Sequence, residues 1–457
     1  MNLIAHYRQK LEALFARIGQ LQAVIQAMST LLTRVFAAGL AYIFQIYLAK
    51  SLGIENYGIF VTFWTWQVIL THTSVMGFSE SAVRFLPKYA TRARADFVYG
   101  FMSNGLKFIL ITSISTAALC GAALYFFGNL LADNMMGSAI VLAVGLPILA
   151  LELYIEGVSR GLGWYRMAVV PGFILRPVIV MATLFVISLY NIPLTAELAL
   201  AVTIGVTLFL ICLQAVYIKI HVKRIKPATS QSHRKRLRRY WIYAAVPLVV
   251  VTGVEELLYW SDIVILGFMM PSESVSVYFA ALRCMAIAGF IHYAFMVVFA
   301  REFSLANAEG DNTELQNRVH MASTWTFWLT IPAVLVTLAA GPFLLSLFGE
   351  EFVSGQVIML VIGIGLVGKS IVGQASNLLI VVGRERLNVM IAGYALVMNI
   401  AISVTLVPVF GIVGAAIGTA LSQIVRSALL YYYCRTKIGV SVIAHFDPRK
   451  VLTAKAS

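Results

Sequence analysis

The sequence predicts an all-α integral membrane fold of about twelve transmembrane helices. Three observations carry that expectation. Hydrophobic residues make up 60% of the 457 residues and charged residues only 12%, against about 25% charged in soluble domains. Apolar runs of about 18 residues or more recur along the chain, the length that crosses a bilayer as a helix. The segments between those runs alternate between basic and short, as in a chain that threads back and forth across a membrane. Hydrocarbon leaves backbone polar groups no partner but one another, which only helices and closed barrels supply. Barrel strands would alternate apolar and polar over about ten residues. These runs are longer and apolar all round, so they are helices.

Taken in order, the spans fall near 23–49, 57–77, 104–127, 138–159, 168–190, 197–218, 241–269, 275–300, 323–348, 355–382, 387–407 and 411–434. One set of connections comprises the N-terminus, 78–103, 160–167, 219–240, 301–322, 383–386 and the tail. The other set is 50–56, 128–137, 191–196, 270–274, 349–354 and 408–410. The second set holds one basic residue, Lys50, whereas the first holds about 27. That bias puts both termini in the cytoplasm, and an extra or missing span would scramble it. Before the first span, Leu3, Tyr7, Leu11, Leu14, Phe15 and Ile18 share one helical face. Residues 1–22 are therefore expected as an amphipathic interfacial helix. The basic segment 219–240 then separates an N-lobe of six spans (23–218) from a C-lobe of six (241–435), ahead of a cytoplasmic tail (436–457). A faint echo links the lobes: Leu52-Gly53 precedes Glu55 and Tyr57, and Leu266-Gly267 precedes Glu273 and Tyr278.

The net charge of +14 would suggest nucleic acid in a soluble protein. Here most of the basic residues lie between spans, facing anionic lipid, so membrane lipids are the expected partner and nucleic acid is not. The four cysteines, Cys120, Cys212, Cys284 and Cys434, fall inside apolar runs without a CxxC pair, which argues against disulfides and zinc. An HExxH motif is absent from the sequence. No catalytic residue, metal centre or cofactor is expected, and the short connections leave no outer domain for chemistry. His72 and His292 lie inside spans without a visible partner set.

Charges buried in the membrane are the informative residues, since each costs about 2.5–3.5 kcal/mol at mid-bilayer on insertion scales. The cations are Arg34, Arg176, Arg283, Lys369 and Arg426; the acids are Glu152, Glu156, Glu255, Glu256 and Asp262. All should face the bundle interior or a wet cavity. Glu152, Glu156 and Arg160 follow i, i+4, i+8 spacing and can pair along their own helix. Arg176 can snorkel or pair with Glu156, and Arg426 can snorkel. Arg34, Arg283 and Lys369 are deep and divided between the halves. A cavity lined by such cations suits a phosphate or diphosphate.

Several local signatures resemble the polysaccharide transporter branch of the multidrug/oligosaccharidyl-lipid/polysaccharide (MOP) exporter superfamily. They are LAKSLGIENYGIF (48–60), SAVRFLPKY (81–89), SDIVILGFMMPSESVSVYFAALR (261–283), LFGEEF (347–352) and PVFGIVGAAIGTALS (408–422). Their order, spacing and twelve-span plan extend the resemblance from about residue 23 to 435. It implies two six-helix lobes in a V around a central cavity, and flipping of lipid-linked oligosaccharides of the undecaprenyl diphosphate type across a bacterial inner membrane by alternating access. Lipid II flippases in this superfamily hold the diphosphate with arginines in spans 1 and 8, which Arg34 and Arg283 match here, and Arg84 resembles a third contact at the cytoplasmic mouth. The chain lacks the two extra C-terminal spans of those fourteen-span proteins, which favours an O-antigen, capsule or exopolysaccharide flippase.

Some relatives have a sodium site built from spans 7, 11 and 12. Asn399, Ser403 and Thr419 have spacing for it, with Glu255 or Glu256 as the acid, although Ser403 stands where a second carboxylate is expected. Coupling to H+ or Na+ could therefore use Glu152, Glu156, Glu255, Glu256, Asp262, Asn399 or Thr419. Polysaccharide polymerases and glycosyltransferases are candidate partners. Two other functions stay open: a cation-coupled multidrug or metabolite antiporter, and a non-transporting scaffold of a glycan-assembly complex. Span 1 lacks the acid usual in the drug-exporting branch and offers Arg34 instead, which favours an anionic cargo.

Overall fold

The computed structural model describes the backbone of residues 2–91, 95–222, 234–309 and 312–445. Side chains are described for these residues except 2–32, 34, 91, 95, 96, 130, 222, 234–239, 246, 297 and 301. Among the described residues there are helices and no strands. The first half contains α1 (Asn2–Val75), α2 (Phe78–Thr91), α3 (Ala95–Phe127), α4 (Asp133–Gly161), α5 (Tyr165–Val170), α6 (Arg176–Leu189) and α7 (Ala196–Val222). A π-helical turn over Pro171–Leu175 joins α5 to α6 into one span. The second half contains α8 (Arg234–Met269), α9 (Ser272–Glu309), α10 (Asn312–Ala339), α11 (Gly341–Ser346), α12 (Gln356–Ser370), α13 (Ala375–Val381), α14 (Glu385–Phe410) and α15 (Ile412–Tyr433).

Among the described residues, eleven helical runs are long and apolar enough to cross a bilayer. The first, Val35–Val75, has 41 residues. At about 1.5 Å per residue it would be about 60 Å long, twice the ~30 Å hydrocarbon core. Gly53 breaks it with φ 76° and ψ 168°, a backbone region that glycine enters without a steric penalty. The break folds the run into two crossings, so eleven runs give the twelve spans expected. The segment 1–22 enters the first span within α1 from Asn2 onward, with no separate helix boundary; its side chains lie outside the described residues. Much of the 219–240 segment, residues 223–233, is likewise outside them.

One expected connection is in fact structured. Residues 78–91 form α2, a surface helix that buries Phe78, Ala82, Phe85 and Leu86 and exposes Arg84 and Lys88. Its apolar residues recur at three- and four-residue intervals, which puts them on one helical face.

The halves meet at the end that carries the short connections. One hydrophobic cluster there draws on both: Leu48, Tyr57 and Phe60 from α1, Leu266 from α8, Tyr278 and Phe279 from α9, and Phe348 and Phe352 beyond α11. The Tyr57 ring lies 6.2 Å from both Phe279 and Phe352. The Ser276 hydroxyl donates to the Ile54 carbonyl across the seam, and the Tyr42 hydroxyl to the Leu344 carbonyl at 3.2 Å. Gly58 lies directly beneath Ser272. The two echoed sequence segments thus pack on each other.

At the basic end the hydrophobic side chains divide into two clusters with no shared member. One holds Phe78, Phe85, Phe101, Tyr154 and Trp241; the other holds Phe299, Phe303, Leu315, Ile391, Leu430 and Val442. The molecule is a V of two lobes, closed at the short-connection end. Helix α8 starts in the first of these clusters: buried Trp241 packs edge-on to Phe101 at 5.4 Å and donates its indole N–H to Tyr89 at 2.9 Å. The same helix ends against the second half, where Ser261 meets Asn399 of α14. The tail is tied down through residue 445. Gln316 bonds both backbone groups of Ser441, and the Ala444 amide donates to the Ile371 carbonyl at 2.8 Å.

Candidate functional site

The second half encloses a cavity of about 530 Å³ between α8, α9, α12 and α15. Its wall is aromatic, with Tyr259, Trp260, Phe279, Phe290 and Tyr293, and it carries two of the expected cations, Arg283 and Lys369. The Arg283 guanidinium lies 4.4 Å from the Phe279 ring centroid and 5.8 Å from that of Trp260. Phe279 and Arg283 are four residues apart on α9, so the helix itself sets the stack. Stacking on ring faces leaves the in-plane N–H donors of a guanidinium free for an acceptor, and Arg283 Nε is buried with no hydrogen-bond partner. Among the described residues, neither Arg283 nor Lys369 has a carboxylate within 4.0 Å. The cavity therefore presents two cations without a direct ion-pair partner, against the single carboxylate of Asp262 in its wall, in a setting of reduced solvent screening.

A buried polar cluster backs this cavity. Asp262 is 3% exposed and accepts from the Tyr278 hydroxyl at 2.6 Å and the Thr419 hydroxyl at 3.0 Å. Next to it, the Asn399 amide donates to Ser261 at 2.9 Å and accepts from Ser403 at 3.0 Å. Spans 7, 11 and 12 do converge here, but the acid beside them is Asp262. Glu255 is instead held by Arg426 at 2.7 Å, with the Asn388 amide donating to the same oxygen. Arg426 thus reaches inward to a carboxylate. Glu256 faces the other half, 3.5 Å from His72 Nε2, and accepts from the Trp260 indole at 3.1 Å. This His72–Glu256 bridge had no signal in either local sequence; Trp260 four residues after Glu256 was the legible part.

A smaller cavity of about 130 Å³ lies in the first half, lined by α1, α4, the α5–α6 span and α7. Its carboxylates are both engaged. Arg176 binds Glu152 at 2.6 Å and sits 5.4 Å from the Trp64 ring centroid, and Arg160 lies 3.6 Å from Glu156. Arg176 thus chooses Glu152 over Glu156, one helical turn away on the same face of α4. Of the remaining expected residues, Arg84 is exposed on α2 and lines neither cavity. The Arg34 side chain lies outside the described residues.

Comparison with known proteins agrees with this architecture. A family model described as "Polysaccharide biosynthesis protein" matches residues 24–301, and one described as "Lipid II flippase MurJ" matches residues 167–457. A probable low-salt glycan biosynthesis flippase of Haloferax volcanii is 25% identical over 200 residues, which cover 42% of this chain. The chain spans 41% of that relative's length. An inward-facing multidrug resistance transporter of the MATE family superposes with a TM-score of 0.69 at 15% identity, covering 88% of this chain and 94% of that one. The lipid II flippase MurJ in its inward closed conformation gives 0.68 at 16% identity, covering 89% and 87%. These likenesses show the fold, and the family models, each matching more than half of the chain, show the family. The chain is a multi-pass membrane protein of the polysaccharide biosynthesis protein family, with the fold of these two structures.

Proposed function

We propose that this protein moves a lipid-linked oligosaccharide, carried on a diphosphate, from the cytoplasmic to the outer leaflet of the plasma membrane by alternating access. The observation that carries the reading is the aromatic cavity with two cations, Arg283 and Lys369, that lack a direct ion-pair partner among the described residues. A diphosphate supplies the acceptors that Arg283 lacks and the negative charge that the pair lacks. An organic cation would meet repulsion at the same place, which weighs against a drug antiporter. The positive-inside rule supports a reading in which the basic connections and both chain ends lie in the cytoplasm and the protein sits in a bacterial inner membrane. In that orientation the V opens inward, the state that would load cargo. Arg34 and Arg84 would extend the cationic path towards the mouth.

The cluster of Asp262, Tyr278, Thr419, Asn399, Ser261 and Ser403 is the candidate coupling site for H+ or Na+. It borders the cationic cavity, since Asp262 and Thr419 line both. Binding of an ion there can drive the lobes only if the two conformations hold it with different affinity. Glycosyltransferases that build the cargo and polymerases that consume it are the expected neighbours, serving O-antigen, capsule or exopolysaccharide assembly.

The test is transport of a labelled undecaprenyl diphosphate-linked oligosaccharide by the purified protein in liposomes. A charge-assisted hydrogen bond is worth about 1.5–3 kcal/mol, so Arg283→Ala should slow flipping about 10- to 150-fold with the protein still folded. Wild-type flipping by both Arg283→Ala and Lys369→Ala would sink the proposal.

A further inference from the structure

The first-half cavity differs in chemistry from the second. Helix α1 presents Trp64, Val68, Thr71 and His72 to it, and α4 presents Glu152 and Glu156. Its carboxylates are matched by Arg176 and Arg160, so it holds polar groups of both kinds with little surplus charge. Thr71 is 5% exposed, and its hydroxyl has no hydrogen-bond partner. A helical threonine normally returns its proton to the preceding turn, as Thr73 does. A buried hydroxyl left unpaired is unfavourable and calls for a partner. Across the cavity the Phe173 ring is 49% exposed, carried on the π-helical turn of Pro171–Leu175. Single π-turns inside α-helices cluster at functional positions.

We propose that this cavity binds one uncharged sugar ring of the cargo, apart from the phosphates. A pyranose ring has hydroxyls that donate to carboxylates and accept from arginine and threonine, and C–H faces that lie on aromatic rings. The cavity offers each of these: Glu152 and Glu156 as acceptors, Thr71 and Arg176 as donors, Phe173 as platform. Its 130 Å³ corresponds to roughly ten water-sized positions at about 10–15 Å³ each, the scale of a single ring. A charged ligand would find its opposite already taken by an ion pair. The two halves thereby divide the cargo, with phosphate in the cationic cavity and sugar in the charge-balanced one.

This inference rests on the flippase reading, and the experiment separates the two. The full chain in lipid nanodiscs is titrated with the methyl glycosides of N-acetylglucosamine, glucose, galactose and mannose, followed by saturation-transfer NMR. Inorganic diphosphate is followed in parallel by phosphorus line broadening. At least one glycoside should give saturation transfer that falls fivefold or more in Thr71→Val and in Phe173→Ala. Thr71→Ser, which keeps the hydroxyl, should retain it. Diphosphate broadening should persist in all three variants, which also reports that they are folded. Loss of both ligands in Phe173→Ala, transfer insensitive to Thr71→Val and Phe173→Ala, or no transfer from any glycoside would overturn the sugar site. So would displacement of every glycoside by tetraphenylphosphonium. Lipid-linked oligosaccharide flipping that is intact while no glycoside binds removes the sugar site and leaves the flippase; glycoside binding without flipping does the reverse.

Discussion

Gly58→Ala tests how the lobes are held closed at the short-connection end. Gly58 on α1 lies against the start of α9, and a Cβ there would run into the Ser272 carbonyl and come within 2.9 Å of the Ser276 hydroxyl. The obstacle is backbone, so no rotamer change relieves it. Overpacking of this kind costs about 1–3 kcal/mol. Pushing α9 away also stretches the Ser276–Ile54 hydrogen bond, worth about 0.5–1.5 kcal/mol. Both losses fall on the state in which this end is sealed. The sealed population should therefore drop by about 1.5–4.5 kcal/mol relative to the open one, roughly 10- to 2,000-fold in their ratio. Spin labels on Arg84→Cys and Glu385→Cys, at the basic ends of α2 and α14, would report it in a background lacking the four native cysteines. Their distance distribution should shift to shorter values as the basic end closes. An unchanged distribution in a Gly58→Ala protein of wild-type thermal stability would refute the reasoning.

Two further outcomes are expected. Asp262→Asn keeps acceptors for Tyr278 and Thr419 but removes the charge; flipping should continue at a basal rate yet no longer respond to an imposed Na+ or pH gradient in liposomes. Arg176→Ala strands Glu152 beside the first-half cavity and should cost up to about 3 kcal/mol in thermal unfolding. The Arg176→Ala/Glu152→Ala pair should recover part of that loss, as the stranded charge is gone.

Periodicity and loop charge made the spans legible because bilayer thickness acts on each helix separately. Side-chain pairing was less legible because it depends on how neighbouring helices rotate and slide. Glu152 and Glu156 lie one turn apart on the same face of α4, and only the register against α6 selects Glu152 for Arg176. Glu255 and Asp262 share a face of α8 two turns apart, but only Asp262 lies level with Thr419 of α15. Glu256, about 100° round the helix from Glu255, looks at the other half. Helix α2 was missed for a different reason. Its charged face lowers its hydropathy to that of a loop, while Phe78, Ala82 and Phe85 mark the buried face.

The footing of α8 in the first lobe makes the two halves interlocked pieces as well as consecutive ones. Trp241 is plugged among Tyr89 and Phe101, while the far end of the same rod is bonded to α14. Fragments 1–222 and 234–457, made separately in one cell, should then assemble through these contacts without covalent continuity between Val222 and Arg234, and failure of the two to co-purify would refute this. Any rocking of the lobes must also be absorbed along α8, which has Pro247 and Gly253 between its two anchors. Under the proposed alternating access this rod would be the axle, and stiffening its middle third should slow transport.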